Sequence, residues 1–310
     1  MRVLVTGAAG SLGRNVVEAA LARGLQVRAL VRDPSRAASL PGVEWIAGDA
    51  RDAAALTEAA RGCEALLHLV NVKISDTWVS TTAALLDAAI AACRATGARL
   101  VFPANVWIYG RGRGTPIDES VPPSPCSRMG QARADKERRI AESGARFVML
   151  RLPEFYGPHV QTLTGPPLQR IAQGKTATWF GPPDVTVDFT FMPDAARALL
   201  EVGLGADDGE VFHMPGVAAT SPRAFFALAR ELAGGGGFRA MPPWVVRVAG
   251  VVHPTARAFA DILHLWTDPI AMDGSKLRAR FPALTQTSYR DGLAQTLAWL
   301  RRNPDARMYA

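Results

Sequence analysis

The sequence is poor in lysine and has no continuous basic stripe. Lys and Arg number 35 against 28 Asp and Glu, giving a formal charge of +7, but just four of these basic residues are lysines. The densest basic cluster, residues 133–139, is interrupted by Asp135 and Glu137. A nucleic-acid-binding surface needs clustered cations, commonly with interleaved aromatic residues. We therefore expect no nucleic-acid partner.

Cysteine and long apolar runs are also scarce. The three cysteines, Cys63, Cys93 and Cys126, have no metal-ligand spacing, so we expect reduced thiols, no metal site and a cytoplasmic location. The most apolar late stretch, residues 244–266, is broken by Arg, His, Pro and Asp, so no membrane partner is expected. Residues 1–5 lead directly into a glycine turn, which is unlike a signal peptide.

The chain is long and apolar enough for a sizeable core. It has 310 residues, of which 48% are hydrophobic and 20% charged, which excludes a disordered chain. Its first half alternates two kinds of pattern: strands at 2–6, 27–31, 43–47, 65–70, 100–102 and 147–152, and helices at 11–23, 53–60, 77–96 and 129–143. Such alternation predicts an α/β fold of the Rossmann type, a doubly wound parallel sheet with helices on both faces.

Three glycines, Gly7, Gly10 and Gly13, are spaced three residues apart between the first strand and the first helix. This pattern is typical of a dinucleotide-binding turn, in which the glycines allow a tight turn, close approach of a pyrophosphate and close helix–strand packing. Backbone N–H groups at the helix start then face the phosphates. An ordinary glycine-rich turn is the alternative. The predicted cofactor contacts here are Thr6, Gly7, Ala9, Gly10, Ser11, Leu12 and Gly13.

The end of the second strand bears on the choice of dinucleotide. An NAD site uses an acidic residue there to bind the ribose 2′-hydroxyl. Arg32 and Arg36 occupy this region instead. Because a guanidinium pairs with a 2′-phosphate in a bidentate way, we expect NADP rather than NAD. The alternative is that Arg32 is a solvated surface cation.

The pattern changes after Pro153, and over residues 157–183 glycine and proline are frequent and the regular alternation is lost. We predict a dinucleotide-binding domain at 1–155, to which residues 186–214 return with a last short strand. Residues 156–185 and 215–310 are predicted to form a smaller, mostly helical substrate-binding region. Within these segments Asp194 is predicted to cap a helix at 195–202, and Ser221 one at 222–233.

Several further segments resemble one family of proteins. They are Gly48-Asp49-Ala50-Arg51-Asp52, Leu67-His68-Leu69-Val70-Asn71, Ile108-Tyr109-Gly110, residues 151–158 and residues 188–194. With the glycine turn, they make the chain resemble the extended short-chain dehydrogenase/reductase family, the NAD(P)-dependent epimerase/dehydratase group, over nearly its whole length. The resemblance implies an enzyme with a small-molecule substrate, and we also expect a possible homodimer.

The resemblance also assigns contacts to the cofactor. It implies that Asp49 and Ala50 reach the adenine, although a loop aspartate such as Asp49 also accepts hydrogen bonds from its own turn. It implies further that Leu69, Val70 and Asn71, at the end of the fourth strand, pass beneath the cofactor.

The family's chemistry rests on a Ser or Thr, a Tyr and a Lys, and this chain departs from all three. Asn105 occupies the Ser position, Met129 the Tyr position and Arg133 the Lys position. A thioether has no proton to donate. A guanidinium stays protonated, so Arg133 can bind ribose hydroxyls but cannot relay a proton. Cofactor binding is expected, and any redox reaction needs another proton donor or a water.

The sequence offers four candidates for that donor. Lys73, with Asp76 nearby, follows the fourth strand, and Glu154, Tyr156 and His159 lie in the segment that lines the substrate cleft in the family. Each also has an ordinary interpretation as a solvated, packing or surface residue. A carboxylate at Glu154 repels a diphosphate, so a small uncharged or cationic carbonyl compound is expected rather than a sugar nucleotide.

Three functions are consistent with these observations. The first is an NADP-binding oxidoreductase acting on a small carbonyl or hydroxyl compound with a rebuilt proton relay. The second is a non-redox lyase, isomerase or cyclase on the same scaffold. The third is a regulatory protein that senses NADP without turning it over.

Overall fold

The computed structural model describes residues 1–36, 40–72, 75 and 77–306, without the side chains of Arg36, Pro254 and Thr255. The strands are β1 (Arg2–Thr6), β2 (Gln26–Val31), β3 (Val43–Ala47), β4 (Ala65–His68), β5 (Arg99–Asn105), β6 (Phe147–Leu152), β7 (Glu154–Tyr156), β8 (Ala177–Phe180), β9 (Phe189–Phe191), β10 (Glu210–His213) and β11 (Phe238–Met241).

The helices are α1 (Ser11–Ala22), α2 (Ala53–Ala60), α3 (Trp78–Thr96), α4 (Arg128–Ala141), α5 (Gly165–Ala172), α6 (Met192–Gly205), α7 (Pro222–Ala233), α8 (Pro243–Val252), α9 (Pro254–Asp261), α10 (His264–Thr267), α11 (Ser275–Arg280) and α12 (Tyr289–Arg302). Two short 3₁₀ helices span Pro34–Arg36 and Val106–Tyr109. No helix in the described ranges has the length and apolar character needed to cross a bilayer.

Seven strands form one parallel sheet in the order β10-β6-β5-β4-β1-β2-β3. This confirms the predicted doubly wound α/β fold. Both faces of the sheet are covered, because Val3 and Val5 belong to one buried cluster while Leu4, between them, belongs to another. Successive side chains of a strand point to opposite faces, so a strand buried on both sides shows a continuous apolar run.

The second half of the chain packs over the carboxyl ends of these strands. It contains two small parallel pairs, β7 with β9 and β8 with β11, and a third apolar cluster that includes Tyr156, Trp179 and Phe225. Strand β10 joins the main sheet beside β6, and α6 packs against α1. In open α/β sheets, ligands bind in the crevice at the carboxyl ends of the strands.

Two predicted helix caps have different outcomes. Ser221 caps α7 as predicted, with its hydroxyl accepting a hydrogen bond from the N–H of Ala224. The cap predicted at Asp194 is wrong, because α6 already begins at Met192. The buried Asp194 carboxylate instead accepts hydrogen bonds from the backbone N–H and the hydroxyl of Thr287, 93 positions away. This tertiary contact fastens the segment before α12 to α6.

Candidate active site

The turn between β1 and α1 needs glycine at two positions. Gly7 has a φ of +74°, and a Cβ added there would lie 2.6 Å from the backbone nitrogen of Val70. A Cβ at Gly13 would lie 2.0 Å from the carbonyl oxygen of Gly7. These contacts are too short for any side chain. The turn therefore comes close to the segment that follows β4 on one side and to the start of α1 on the other, as a pyrophosphate-binding turn requires.

The start of α1 leaves backbone N–H groups available. Gly10 precedes the helix, no described side chain caps it, and its first turn has no acidic residue. Ala9 and Gly10 are exposed, and Ser11 and Leu12 are half-buried. A helix N-terminus with free N–H groups and a partial positive charge suits a phosphate. The predicted residues of this turn thus lie together at the start of α1.

The structure places Arg32 at the end of β2 beside the loop that contains Asp49. Arg32 is exposed and forms no ion pair with any residue that the structure describes. Asp49 is held by Arg51, with an Nη2–Oδ2 distance of 2.5 Å and a bond from the backbone N–H of Arg51. These hydrogen bonds lower the pKa of Asp49 to about 2. Ala50 is half-buried beside this pair, and the side chain of Arg36 lies outside the described part of the structure.

The ends of β4 and β5 carry two side-chain amides that already accept hydrogen bonds. Leu69 and Val70 follow β4, and the next residue, Asn71, accepts bonds from the N–H of Val72 and the indole of Trp78. Asn105 accepts a bond from the N–H of Trp107 at 3.1 Å and so begins a 3₁₀ turn. Because the Asn105 oxygen is used in this way, its amide nitrogen is the group that can bind a substrate oxygen.

The two residues predicted to occupy the family's Tyr and Lys positions lie on α4. Met129 is 1% exposed, and its backbone N–H donates to Asp261 Oδ2 at 3.1 Å. The guanidinium carbon of Arg133 lies 5.1 Å from the ring centre of Trp78 and 5.4 Å from that of Trp107. Burial lowers the pKa of Arg133 to about 10, which still leaves it charged at neutral pH.

Arg133 also carries a buried donor that has no acceptor. Its Nε has no hydrogen-bond partner among the described residues. A buried unsatisfied donor costs free energy, and such groups are normally paired. A ribose hydroxyl would supply the missing acceptor. This donor and the glycine turn are two independent features that fit a dinucleotide.

A second cation on α4, Lys136, was not singled out from the sequence. It is buried, its Nζ donates to Thr82 Oγ1 at 2.5 Å, and it lies 4.4 Å from the ring centre of Trp78. Burial, assisted by the charge of Arg133, lowers the pKa of Lys136 to about 7. Met129, Arg133 and Lys136 are spaced four and three residues apart, so they share one helix face. That spacing was the feature of the sequence from which Lys136 could have been predicted to lie at the site.

Glu154 lies just beyond β6, two residues after Leu152, which pairs in register with Asn105. Glu154 is the first residue of β7 and pairs in register with Phe189 of β9, so it follows the end of β6 at the carboxyl edge of the main sheet. Glu154 Oε1 accepts a hydrogen bond from the N–H of Leu163 at 3.1 Å. Burial outweighs such bonds and raises the pKa of Glu154 to about 7.

The remaining donor candidates have other surroundings. Tyr156 is fully buried against Phe191, Phe225 and Tyr289, and burial raises its pKa. Its hydroxyl is buried without a partner in the described structure, a placement that favours a packing role.

His159 has a φ of +64°, and its ring packs on Trp299 with centroids 4.6 Å apart. Burial lowers the pKa of His159, so the neutral form is favoured. Lys73 and Asp76 lie outside the described residues.

A buried polar network, missed from the sequence, supports the strand ends below this site. Arg151 pairs with Glu137 at 2.7 Å and donates to Tyr109 Oη at 2.5 Å, and that hydroxyl also contacts His213 Nε2 at 2.7 Å. Burial lowers the pKa of His213 to about 4 and raises that of Tyr109 to about 12. These residues come from four separate elements, and no local spacing links them.

The parallel strand order, the glycine turn and the orphaned donor of Arg133 define a Rossmann-type dinucleotide-binding protein. The model of the NAD dependent epimerase/dehydratase family matches residues 3–213. The chain therefore belongs to that family, which confirms the resemblance inferred from its motifs and its assignment as an enzyme.

Relatives and solved structures agree with this assignment. The chain is 27% identical to a 4-hydroxy-2-methyl-3-oxo-4-farnesyl-3,4-dihydroquinoline-1-oxide ketoreductase of Stigmatella aurantiaca, over 96% of this chain and 88% of the relative. It is 31% identical to a 2-alkyl-3-oxoalkanoate reductase of Stenotrophomonas maltophilia over 64% of each protein. The dTDP-glucose 4,6-dehydratase of Bacillus anthracis, solved in complex with NAD, shares the fold with a TM-score of 0.81 and 17% identity, covering 98% of this chain and 97% of its own.

Proposed function

We propose that this protein is an NADP-linked oxidoreductase that acts on a small uncharged carbonyl or hydroxyl compound, with Glu154 as the proton donor. The observation that carries the proposal is the position of Glu154. Its carboxyl group has a pKa near 7, and it lies two residues after Leu152, the register partner of Asn105. A general acid works best when its pKa lies near the working pH.

The turn at 7–13 would hold the pyrophosphate, and Arg133 the nicotinamide-side ribose. The exposed Arg32 supports NADP, because its guanidinium forms no ion pair within the described residues and is available to a 2′-phosphate. A bound nicotinamide supplies or accepts the hydride. Residues 156–185 and 215–310 would bind the substrate, and the three free cysteines support a cytoplasmic location.

The proton is supplied by this chain's own residues. Met129 has no proton to donate, and Arg133 remains charged. When a carbonyl carbon gains a hydride, its oxygen gains the proton of Glu154, and the resulting carboxylate is reprotonated from water. The amide N–H of Asn105 binds the same oxygen and stabilises its developing negative charge. In the opposite direction, the Glu154 carboxylate accepts the hydroxyl proton.

The charge and shape of the site favour an apolar ketone as substrate. Glu154 repels phosphate groups when it is ionised, which disfavours a sugar nucleotide. The half-buried indole ring of Trp107 beside Arg133 offers apolar surface. The two relatives described above are named as reductases of ketones that carry farnesyl or alkyl groups. We extend to this chain the feature that both names share, a ketone with an apolar substituent. The expectation that the substrate is uncharged rests on Glu154 alone, because an oxoalkanoate is an anion.

The test is NADPH oxidation with a panel of alkyl and aryl ketones, using wild type, Glu154→Gln and the exposed control Glu58→Gln. Removing a general acid costs ~10²–10⁴-fold in rate. We expect Glu154→Gln to lose kcat by that factor with an unchanged Kd for NADPH, while the control keeps wild-type rates. Equal rates in all three proteins would exclude Glu154 as the acid. Tight NADPH binding without oxidation of any substrate would favour the non-redox or sensing function.

A further inference from the structure

Helix α8 turns apolar side chains toward solvent. Trp244, Val248, Val251 and Val252 are 61%, 61%, 74% and 83% exposed. Their spacing of four, three and one residues places them on one side of the helix, which we call the α8 face. Val246 and Gly250, on the opposite side, are buried. A contiguous exposed patch of this kind on a soluble domain marks an interaction site.

The α8 face is held rigidly by the next helix. A Cβ at Gly250 would lie 3.1 Å from the Cα of Arg257, so α8 and α9 approach closely. The Arg257 guanidinium donates to the carbonyl oxygens of Gly250 and Val251, both at 3.0 Å. These bonds satisfy carbonyl groups at the end of α8. The exposure of Val251 and Val252 is therefore a feature of a well-capped helix and not of a frayed end.

The charged residues of α8 and of the segments next to it in the sequence are mostly cationic. Residues 239–261 contain Arg239, Arg247, Arg257 and a single acidic residue, Asp261. Asp261 is turned inward, where it accepts a bond from the backbone N–H of Met129. Arg247 follows Trp244 by three residues and precedes Val251 by four, so it borders the α8 face. An apolar face bordered by arginine complements an anionic surface, and it would repel a second copy of itself.

We propose that the α8 face docks the protein onto an anionic lipid bilayer. Tryptophan is favoured at the boundary between headgroups and acyl chains, where its ring is buried and its N–H stays hydrated. Arginine can extend its apolar stem along the same boundary and pair its head with a lipid phosphate. This mode is peripheral, and it departs from the expectation of no membrane partner, which rested on the interrupted apolar run.

A neighbouring cavity agrees with a lipid surface. It measures about 190 Å³ and is lined by Leu163, Trp179, Phe180 and Phe259 among others. Phe180 is also partly exposed and pairs in register with Met241, two residues before α8. An apolar cavity beside the docking face suits small apolar molecules dissolved in a bilayer. The docking proposal itself does not depend on the proposed function.

The test is cosedimentation with vesicles of equal parts phosphatidylglycerol and phosphatidylcholine, and with vesicles of phosphatidylcholine alone. The variants are Trp244→Ser/Val248→Ser/Val252→Ser, Arg247→Glu, and a matched control, Val217→Ser, at an exposed valine in the loop after β10. We expect wild type and control to bind the anionic vesicles, the triple variant to bind at least about tenfold more weakly, and Arg247→Glu about fivefold more weakly.

Two outcomes would overturn the proposal. One is that wild type at low salt sediments no more with anionic vesicles than with neutral ones. The other is that sedimentation velocity shows a dimer that the triple variant abolishes, which would assign the α8 face to a second copy. Every substituted side chain is largely exposed, so folding should persist. Equal thermal midpoints for the variants and wild type verify that they fold. Arg247→Glu tests the docking proposal independently of the triple variant.

Discussion

Glu154 Oε1 accepts a hydrogen bond from the backbone N–H of Leu163 at 3.1 Å. This bond favours the ionised carboxylate, yet burial dominates and holds the pKa near 7. The same contact joins the sheet edge, where the reaction is proposed to occur, to a residue that lines the apolar cavity. A Glu154 carboxyl group with a raised pKa should affect both the free energy of unfolding and the rate of the proposed reaction. The two effects can be measured separately.

The first prediction concerns stability and pH. The pKa of Glu154 is about 7 in the folded protein, and an unfolded Glu titrates at ~4.3. Between these values the native state binds more protons, so stability is lost as pH rises from ~4.3 through 7. Glu154→Gln stays neutral. We expect it to melt a few degrees above wild type at pH 8 and close to wild type at pH 5. A difference that does not vary with pH would contradict the raised pKa, and Glu58→Gln is the exposed control.

The second prediction concerns the substituted family positions. Met129→Tyr with Arg133→Lys restores a phenol and an amine four residues apart on one face of α4. We expect NADPH-dependent ketone reduction to rise, and to become independent of Glu154 when Glu154→Gln is added. Because Met129 is buried, the thermal midpoint of the double variant must be measured alongside. A folded double variant that binds NADPH and reduces no faster than wild type would argue against a displaced proton donor.

The third prediction concerns Arg32 and the dinucleotide. A charge-assisted hydrogen bond contributes ~1.5–3 kcal/mol, so Arg32→Asp should weaken NADP binding roughly 10- to 100-fold. The new carboxylate should accept a bond from a ribose 2′-hydroxyl, so NAD becomes the preferred ligand. Thermal shifts at equal concentrations of NADP and NAD measure the order of preference. Arg113→Asp, at another exposed arginine, should leave that order unchanged. If wild type responds equally to both dinucleotides, Arg32 does not bind the 2′-phosphate.

The fourth prediction concerns the ion pair between Glu137 and Arg151, whose side chains are each 8% exposed. Arg151→Met leaves the Glu137 carboxylate buried without a counter-charge, which costs ~3–5 kcal/mol in the free energy of unfolding. Adding Glu137→Met removes that charge, so the double variant should be more stable than Arg151→Met alone. Urea denaturation measures the free energy of unfolding of both variants.

The exposed pair Arg139–Asp87 is the matched control for this experiment. Arg139→Met should cost under about 1 kcal/mol. If the losses in the free energy of unfolding caused by Glu137→Met and Arg151→Met simply add in the double variant, the two side chains do not depend on each other.

Local sequence was sufficient to predict the sheet and the glycine turn between β1 and α1. The alternation of strands and helices, and three glycines spaced three apart, are short-range patterns whose physical cause lies within a few residues. Gly13 confirms this, because the contact that excludes a Cβ there comes from Gly7 of the same turn, whereas the contact that excludes one at Gly7 comes from Val70, which is distant in the sequence. The assignment of Asn105, Met129 and Arg133 to the family's catalytic positions also comes from the sequence, since it follows from position within motifs, and it stays a prediction.

The tertiary structure alone decided what surrounds those residues. Arg133 lies between two indoles, and Lys136 binds Thr82, 54 positions away. The pKa of Glu154 depends on burial, which is produced by the whole fold and has no local pattern. The α8 face likewise could not be predicted from local sequence. The apolar stretch at 244–266 could be recognised in the sequence, but which of its side chains face solvent was set by how α9 packs against α8.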